Sequence, residues 1–361
     1  MNTTVIILGL IEVAVSFITG FFLFFFCFKL FFIFTKKIDS TKQFNNNNAA
    51  MAFLFIGFIL GVMIIVRSAV SSAMDNIALL LHQNNLHVII VLNIIVRILL
   101  SYIFAGIIGF LIVWLSFLFF TILTKNIDEL EEIKNSNIAT ALVLGTFMVS
   151  AAFLAQIPVT AILTSIIAGP AHIQSSIGGS LVNGKLLIEG ILELPLWLLA
   201  VLFVFVIGYK IVPIITKEID EDAEIKKNNI AVGLLVSSFI FGIMLLIKAA
   251  LDPSYELLRI IINAQTITFS LIGFSIIRIV LFFIGAGVLA FFMLKAALSF
   301  FMFLTRKINE QEELKKNNIA IGLVTALFVI VLALLVEHSL SVLLSGFTVS
   351  ADAQIGLPVS F

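Results

Sequence analysis

The sequence predicts an all-α fold: a polytopic transmembrane helical bundle of about eight helices, organised as four parallel two-helix repeats. Three observations carry this expectation. The chain is 61% hydrophobic and only 12% charged, with a mean hydropathy of +1.22. Ordinary soluble domains carry about 25% charged residues. Apolar runs well beyond the ~18 residues that mark a membrane-crossing helix recur along the chain, and the ~10-residue alternating segments of a β-barrel do not. A hydrophilic island also returns four times between those runs.

The islands are TKKIDSTKQFNNNNAA from Thr35, TKNIDELEEIKNSNIA from Thr124, TKEIDEDAEIKKNNIA from Thr216 and TRKINEQEELKKNNIA from Thr305. Their starts lie 89, 92 and 89 residues apart. Each has an apolar stretch on either side, so the repeating unit is helix–island–helix. The spans expected are Val5–Phe34, Ala49–Val70, Val88–Leu123, Ile138–Ile157, Leu186–Ile215, Ile230–Leu251, Ile267–Leu304 and Ile319–Val336. The first span has no basic leader and contains Glu12, so it reads as a retained membrane helix and not as a signal peptide. Glycines such as Gly20, Gly61, Gly106, Gly109 and Gly242 read as close-packing sites. FFLFFFCFKLFFIF reads as lipid-facing or tightly packed aromatic surface. Pro195 predicts a kink in the fifth helix.

A second duplication appears at an offset of 181. Glu12 matches Glu193, Lys29 matches Lys210, Asp39 matches Asp220, and Arg97 matches Arg278. Residues 1–181 therefore read as a first two-repeat membrane module and 182–361 as a second.

Sidedness follows from charge. The islands with Lys29, Lys210 and Lys295 hold 15 of the 21 Lys and Arg. The positive-inside rule puts them in the cytoplasm and both termini outside. Net charge is zero and no basic run stands out, so nucleic acid is not an expected partner.

Within the islands, Asp39, Asp128, Asp220 and Asn309 share one position and suit helix N-caps. Asp128 with Glu131, and Asn309 with Glu312, resemble capping boxes. Phe44, Ile133, Ile225 and Leu314 supply the apolar contact of a short turn. Asn48, Asn137, Asn229 and Asn318 stand before the next apolar run, again as caps. A capped hairpin explains the recurrence without chemistry. The functional alternative is a set of docking turns offered to a partner protein.

The pattern T-K-x-I-D-x3-E-I-x3-N-x-A between two membrane helices resembles the bacterial inner-membrane family known as domain of unknown function 350, the YjfL-like proteins. The chain looks like a fused double version of the usual two-unit member. The first unit departs from the pattern with Gln43 for the acid, and the fourth with Asn309 for Asp. The resemblance implies a multipass inner-membrane protein without an assigned activity, with an associational hint toward envelope stress.

Eight ionisable groups interrupt the apolar runs: Glu12, Arg67, Arg97, Glu189, Glu193, Lys248, Arg278 and Glu337. Intramembrane charge is the first pointer to function in such proteins. Arg67, Lys248 and Glu337 share one position, about 28 Å along the helix from the capping Asn. The eight groups are thus expected as a belt near the outer face. One reading pairs Glu12 with Arg97 and Glu193 with Arg278; the other has long side chains snorkelling to headgroups. The outer pieces following Arg67, Lys248 and Glu337, and the segment from Pro158, read as short interfacial or re-entrant elements.

His82, His87, His172 and His338 have no spacing that converges on a metal. Cys27 is the single cysteine. No nucleotide-binding, hydrolase or metalloprotease motif is present, so no cofactor, metal or catalytic residue is expected, and an enzyme is not. The expected function is a non-enzymatic inner-membrane scaffold that docks a cytoplasmic partner, in envelope maintenance. The alternative is an ion or small-solute channel or transporter that uses the outer charged belt. Expected partners are the lipid bilayer, a cytoplasmic or membrane protein, and further copies of the chain.

Overall fold

The computed structural model describes residues 3–81, 88–124, 128–167, 182–216, 219–264, 266–305 and 309–355. Side chains at Glu12 and Asp75 lie outside the description, as do His82, His87 and His172.

Twelve α-helices form among the described residues. The long ones are α1 (Thr3–Phe34), α3 (Ala49–Leu81), α4 (Val88–Leu123), α6 (Ile138–Ile167), α7 (Gly184–Thr216), α9 (Ile230–Asn263), α10 (Phe269–Leu304) and α12 (Ile319–Ile355). Between each pair stands a short hairpin helix: α2 (Ser40–Asn45), α5 (Glu129–Lys134), α8 (Glu221–Lys226) and α11 (Glu310–Lys315). Among the described residues there is no strand, and eight helices are long and apolar enough to cross a membrane. The fold is a multipass membrane bundle.

The bundle has two rows. The inner row is α3, α6, α9 and α12, packed in that order. The outer row is α1, α4, α7 and α10. Each of α4, α7 and α10 packs on its own inner helix and on the preceding one. Small residues let the inner helices approach. A Cβ on Gly57 would lie 2.4 Å from the Cα of Gly145, and one on Gly322 would lie 2.7 Å from the Cα of Ala231. Gly20, expected as a packing site, has nothing within 4 Å of where its Cβ would be; it lies on the poorly covered α1. The aromatic run divides as its two readings allowed. Phe31 is buried against Phe55 and Phe58, while Phe21 and Phe22 are exposed.

The inner helices are longer than expected. They were predicted to stop at Val70, Ile157, Leu251 and Val336, with separate interfacial pieces beyond. The structure runs them on unbroken to Leu81, Ile167, Asn263 and Ile355. Pro158 and Pro253 sit inside helices; neighbouring helices and side chains compensate such breaks in a membrane bundle. Charge does not stop α9 either, because Asp252 lies one turn from Lys248 with their charged atoms 3.7 Å apart.

Candidate functional site

The polar face of the bundle is built by the four hairpins. Each opens on a threonine that touches the residue five places on: Thr35 with Ser40, Thr124 with Glu129, Thr216 with Glu221 and Thr305 with Glu310. Thr35, Thr124 and Thr305 also donate to the carbonyl four residues back, at 2.7, 2.6 and 2.7 Å. A hydroxyl has one hydrogen. When Thr124 gives it to the Phe120 carbonyl, the contact with Glu129 requires a protonated carboxyl. Burial raises the Glu129 carboxyl above its ordinary range, against the hydrogen bond from Thr124. Glu221 is pushed up to about 7, chiefly by burial.

The caps fall where they were expected. Asp39, Asp128, Asp220 and Asn309 accept from the backbone N–H three residues on. Asn48, Asn137, Asn229 and Asn318 do the same for Met51, Thr140, Val232 and Ile321. The reciprocal half of the expected capping boxes takes another course: Glu131 and Glu312 instead pair with Lys134 and Lys316, at 3.1 and 2.8 Å. A lysine within one turn offers these exposed acids a charged partner. Ile133, Ile225 and Leu314 are buried beneath their turns.

The capping asparagines also join one hairpin to the next. Asn48 Nδ2 donates to the carbonyls of Ile133 (2.8 Å) and Lys134 (3.3 Å). Asn137 repeats this on Ile225 (2.8 Å) and Lys226 (3.4 Å), and Asn229 on Leu314 (2.8 Å) and Lys315 (3.3 Å). These carbonyls end short helices; those of Ile133, Ile225 and Leu314 also accept from the backbone N–H of Ser136, Asn228 and Asn317, each at 3.0 Å. An acceptor inside the same hairpin holds each amide: Gln43, Glu132, Glu224 and Glu313, at 2.8 or 2.9 Å. Gln43, which breaks the family pattern, keeps the acceptor through its amide oxygen. A return bond runs the other way. Asn228 Oδ1 accepts from the Ile138 and Ala139 N–H groups, and Asn317 Oδ1 accepts from Ala231 N–H. Asn47, Ser136, Asn228 and Asn317 all have φ between 57° and 65°, a conformation that asparagine tolerates better than most residues.

At the opposite end, Glu193 is fully buried and accepts from Arg259 Nε at 2.8 Å. Lys248 lies 3.7 Å from both Asp252 and Glu337. Arg67, Gln156, Glu189 and Arg259 line a recess of about 560 Å³. Below it the interior is filled. Leu54, Phe58, Phe147, Met148, Phe239, Ile240 and Ile243 are at most 1% exposed.

A family model for a domain of unknown function, DUF350, matches residues 5–159, 186–340 and 275–357. The first two matches each take in two helix–hairpin–helix units. The chain belongs to the DUF350 family. No curated protein and no solved structure matches it.

This DUF350 protein therefore carries the family unit in duplicate, and the expected belt residues divide in space. Arg67 and Glu189 share the recess with Gln156, and Lys248 meets Glu337. Glu193 pairs with Arg259, not with Arg278 as expected. Arg259 was missed because the helix was ended before Pro253, whereas the continued α9 carries it to Glu193. Arg97 is buried and donates to the Ile166 carbonyl at 3.3 Å; its expected partner Glu12 has no described side chain. Arg278 is half-buried on α10. His338 is exposed. Among the described residues, no His, Cys, Asp and Glu group is arranged to hold a metal ion.

Proposed function

We propose that this DUF350 protein is a non-enzymatic membrane scaffold, and that its hairpin layer docks a partner protein on the cytoplasmic face. The observation that supports this is the asparagine bonding. Three successive hairpins are tied to their neighbours through the same atoms, so four charged turns are held in one fixed relation over a dry core. Scaffolding needs such a rigid display, and the excess of lysine and arginine around the hairpins supports the cytoplasmic assignment. An inner-membrane location and a role in envelope maintenance belong to the same proposal.

The recess lined by Arg67, Gln156, Glu189 and Arg259 favours a second reading, an ion or small-solute channel with the recess as its outer vestibule. One preparation tests both. Purified protein is reconstituted in liposomes loaded with potassium chloride, and ion flux is followed. The scaffold reading expects no flux above that of protein-free liposomes. Flux abolished by Arg259→Gln would overturn it in favour of the channel. In parallel, photo-crosslinkers at exposed Glu131 and Glu312 are expected to capture one soluble protein from cells. Their failure to capture anything counts against docking.

A further inference from the structure

We infer that this protein associates head to tail with further copies of itself, the α12 end of one chain meeting the α3 end of the next. The inference stands apart from the scaffold reading and rests on the two ends of the repeat array. All three internal junctions have the first of two halves, and the α6–α9 and α9–α12 junctions have both. The upstream unit gives an asparagine amide to the carbonyls that end the next hairpin helix. The downstream unit gives a side-chain oxygen back to the first N–H groups of the upstream inner helix. At the α12 end, the Asn318 amide Nδ2 donates only to Glu313 among the described residues, and the residue is half-buried where Asn48, Asn137 and Asn229 are buried. Ala320, the counterpart of the fully buried Ala50, Ala139 and Ala231, is exposed. At the α3 end, no described side chain reaches the carbonyls of Phe44 and Asn45, the counterparts of Ile133 and Lys134. Asn47, the counterpart of Asn228 and Asn317, has the same backbone conformation, with φ at 57°, but no described N–H group donates to its side chain. The α12 end therefore lacks the carbonyl acceptors, and the α3 end the side-chain donor, that the internal junctions bring together.

The packing and the charges agree with this. Outer helices α4, α7 and α10 each sit between two inner helices, but α1 has no preceding inner helix and α12 no following outer helix. A second copy supplies both. In an 18-residue apolar stretch of each span, 83% of the α9 residues are buried but only 28% of the α12 residues, although the two helices occupy the same place in their units. At the level of the recess, the successive inner helices carry Arg67, Gln156, Lys248 and Glu337. The internal neighbours Lys248 and Glu337 attract. The next step of the array sets Glu337 beside the exposed Arg67 of the following copy, again with opposite signs. Leu327 and Ile56 stand at the ends where Gly57 meets Gly145 internally, so copies sit farther apart at that height than neighbours within a chain. Such a heterologous contact closes into a ring or continues as an open array, depending on the rotation per step.

The test uses two tagged populations of the full-length protein with Cys27 replaced by Ala, one carrying Asn45→Cys and the other Asn318→Cys. Coexpressed in membranes and oxidised, they are expected to form mixed disulfide dimers. Asn318→Cys with itself should not crosslink. Native mass spectrometry from nanodiscs should show particles of two or more chains. Asn318→Ser keeps the helix cap, so it should leave the unfolding temperature nearly unchanged while weakening self-association about tenfold. Arg67→Glu should weaken it in the same direction. A strictly monomeric protein at every concentration overturns the inference, as do Asn318→Cys dimers without mixed ones.

Discussion

Asn137 Nδ2 lies 2.8 Å from the carbonyl oxygen of Ile225, joining two hairpins that are 88 residues apart in the chain. The same side chain caps α6 by accepting from Thr140 N–H at 3.0 Å. One asparagine thus caps its own inner helix and ties its hairpin to the next.

The two duties separate by mutation. Asn137→Ser keeps an acceptor for the cap but loses the donor, and should cost about 1–2 kcal/mol because buried carbonyls lose a partner. Asn137→Ala loses the cap as well, a further ~1 kcal/mol. Thermal unfolding in detergent reads both. Equal stability of the serine variant and the parent would show that the junction contributes nothing.

Gly57 faces Gly145 too closely for a side chain. Gly57→Ala should force α3 and α6 apart and cost about 1–3 kcal/mol, the range for overpacking. Gly20→Ala, in open space, should leave the unfolding midpoint unchanged or slightly raised. The reverse order would mean that the inner row is looser than its geometry.

Glu193 depends on Arg259. Arg259→Gln should destabilise by about 3 kcal/mol, the low end for a broken buried pair, since the Arg259 side chain keeps 40% exposure. Adding Glu193→Gln should restore part of the loss. Arg278→Gln should cost at most about 0.5 kcal/mol. A double-mutant cycle on unfolding in detergent measures the coupling, and a zero value removes the pair from the account.

Glu221 gives stability a pH dependence. Its folded carboxyl titrates at about 7, above the ordinary value of 4.5, so the folded state holds the proton more tightly. The contribution is fully present below pH 4.5 and is lost as pH rises through 7, with a ceiling of about 3 kcal/mol. Glu221→Gln should flatten that slope. A parent whose stability rises from pH 5 to pH 8 while the variant stays flat would reverse the sign and refute the assignment.

The repetition made the hairpins legible, because capping is local chemistry. Asp128, Asn137 and their counterparts declare themselves by residue type and by the apolar run that follows. The junction was hidden for the opposite reason. Nothing near Asn137 in the chain points to Ile225, and the role as a cap was already sufficient to explain the residue. The recurring pairs Asn47–Asn48, Asn228–Asn229 and Asn317–Asn318 were the available signal: two asparagines where one cap suffices. Arg259 stayed hidden because the sixth span was expected to end at Leu251, before Asp252 and Pro253. Inside a bundle packing carries the helix on through both, and the real partner of Glu193 lay beyond the expected end.

The seating of α4 between α3 and α6 has a consequence for biogenesis. The ribosome delivers α4 before α6, so α4 enters the bilayer when only one of its two walls exists. The same holds for α7 and α10. Each outer helix must wait in lipid for one more hairpin to be translated before it is enclosed. Assembly therefore trails insertion by a full helix at every step, and a released chain ending at Leu123 has its newest span still half bare.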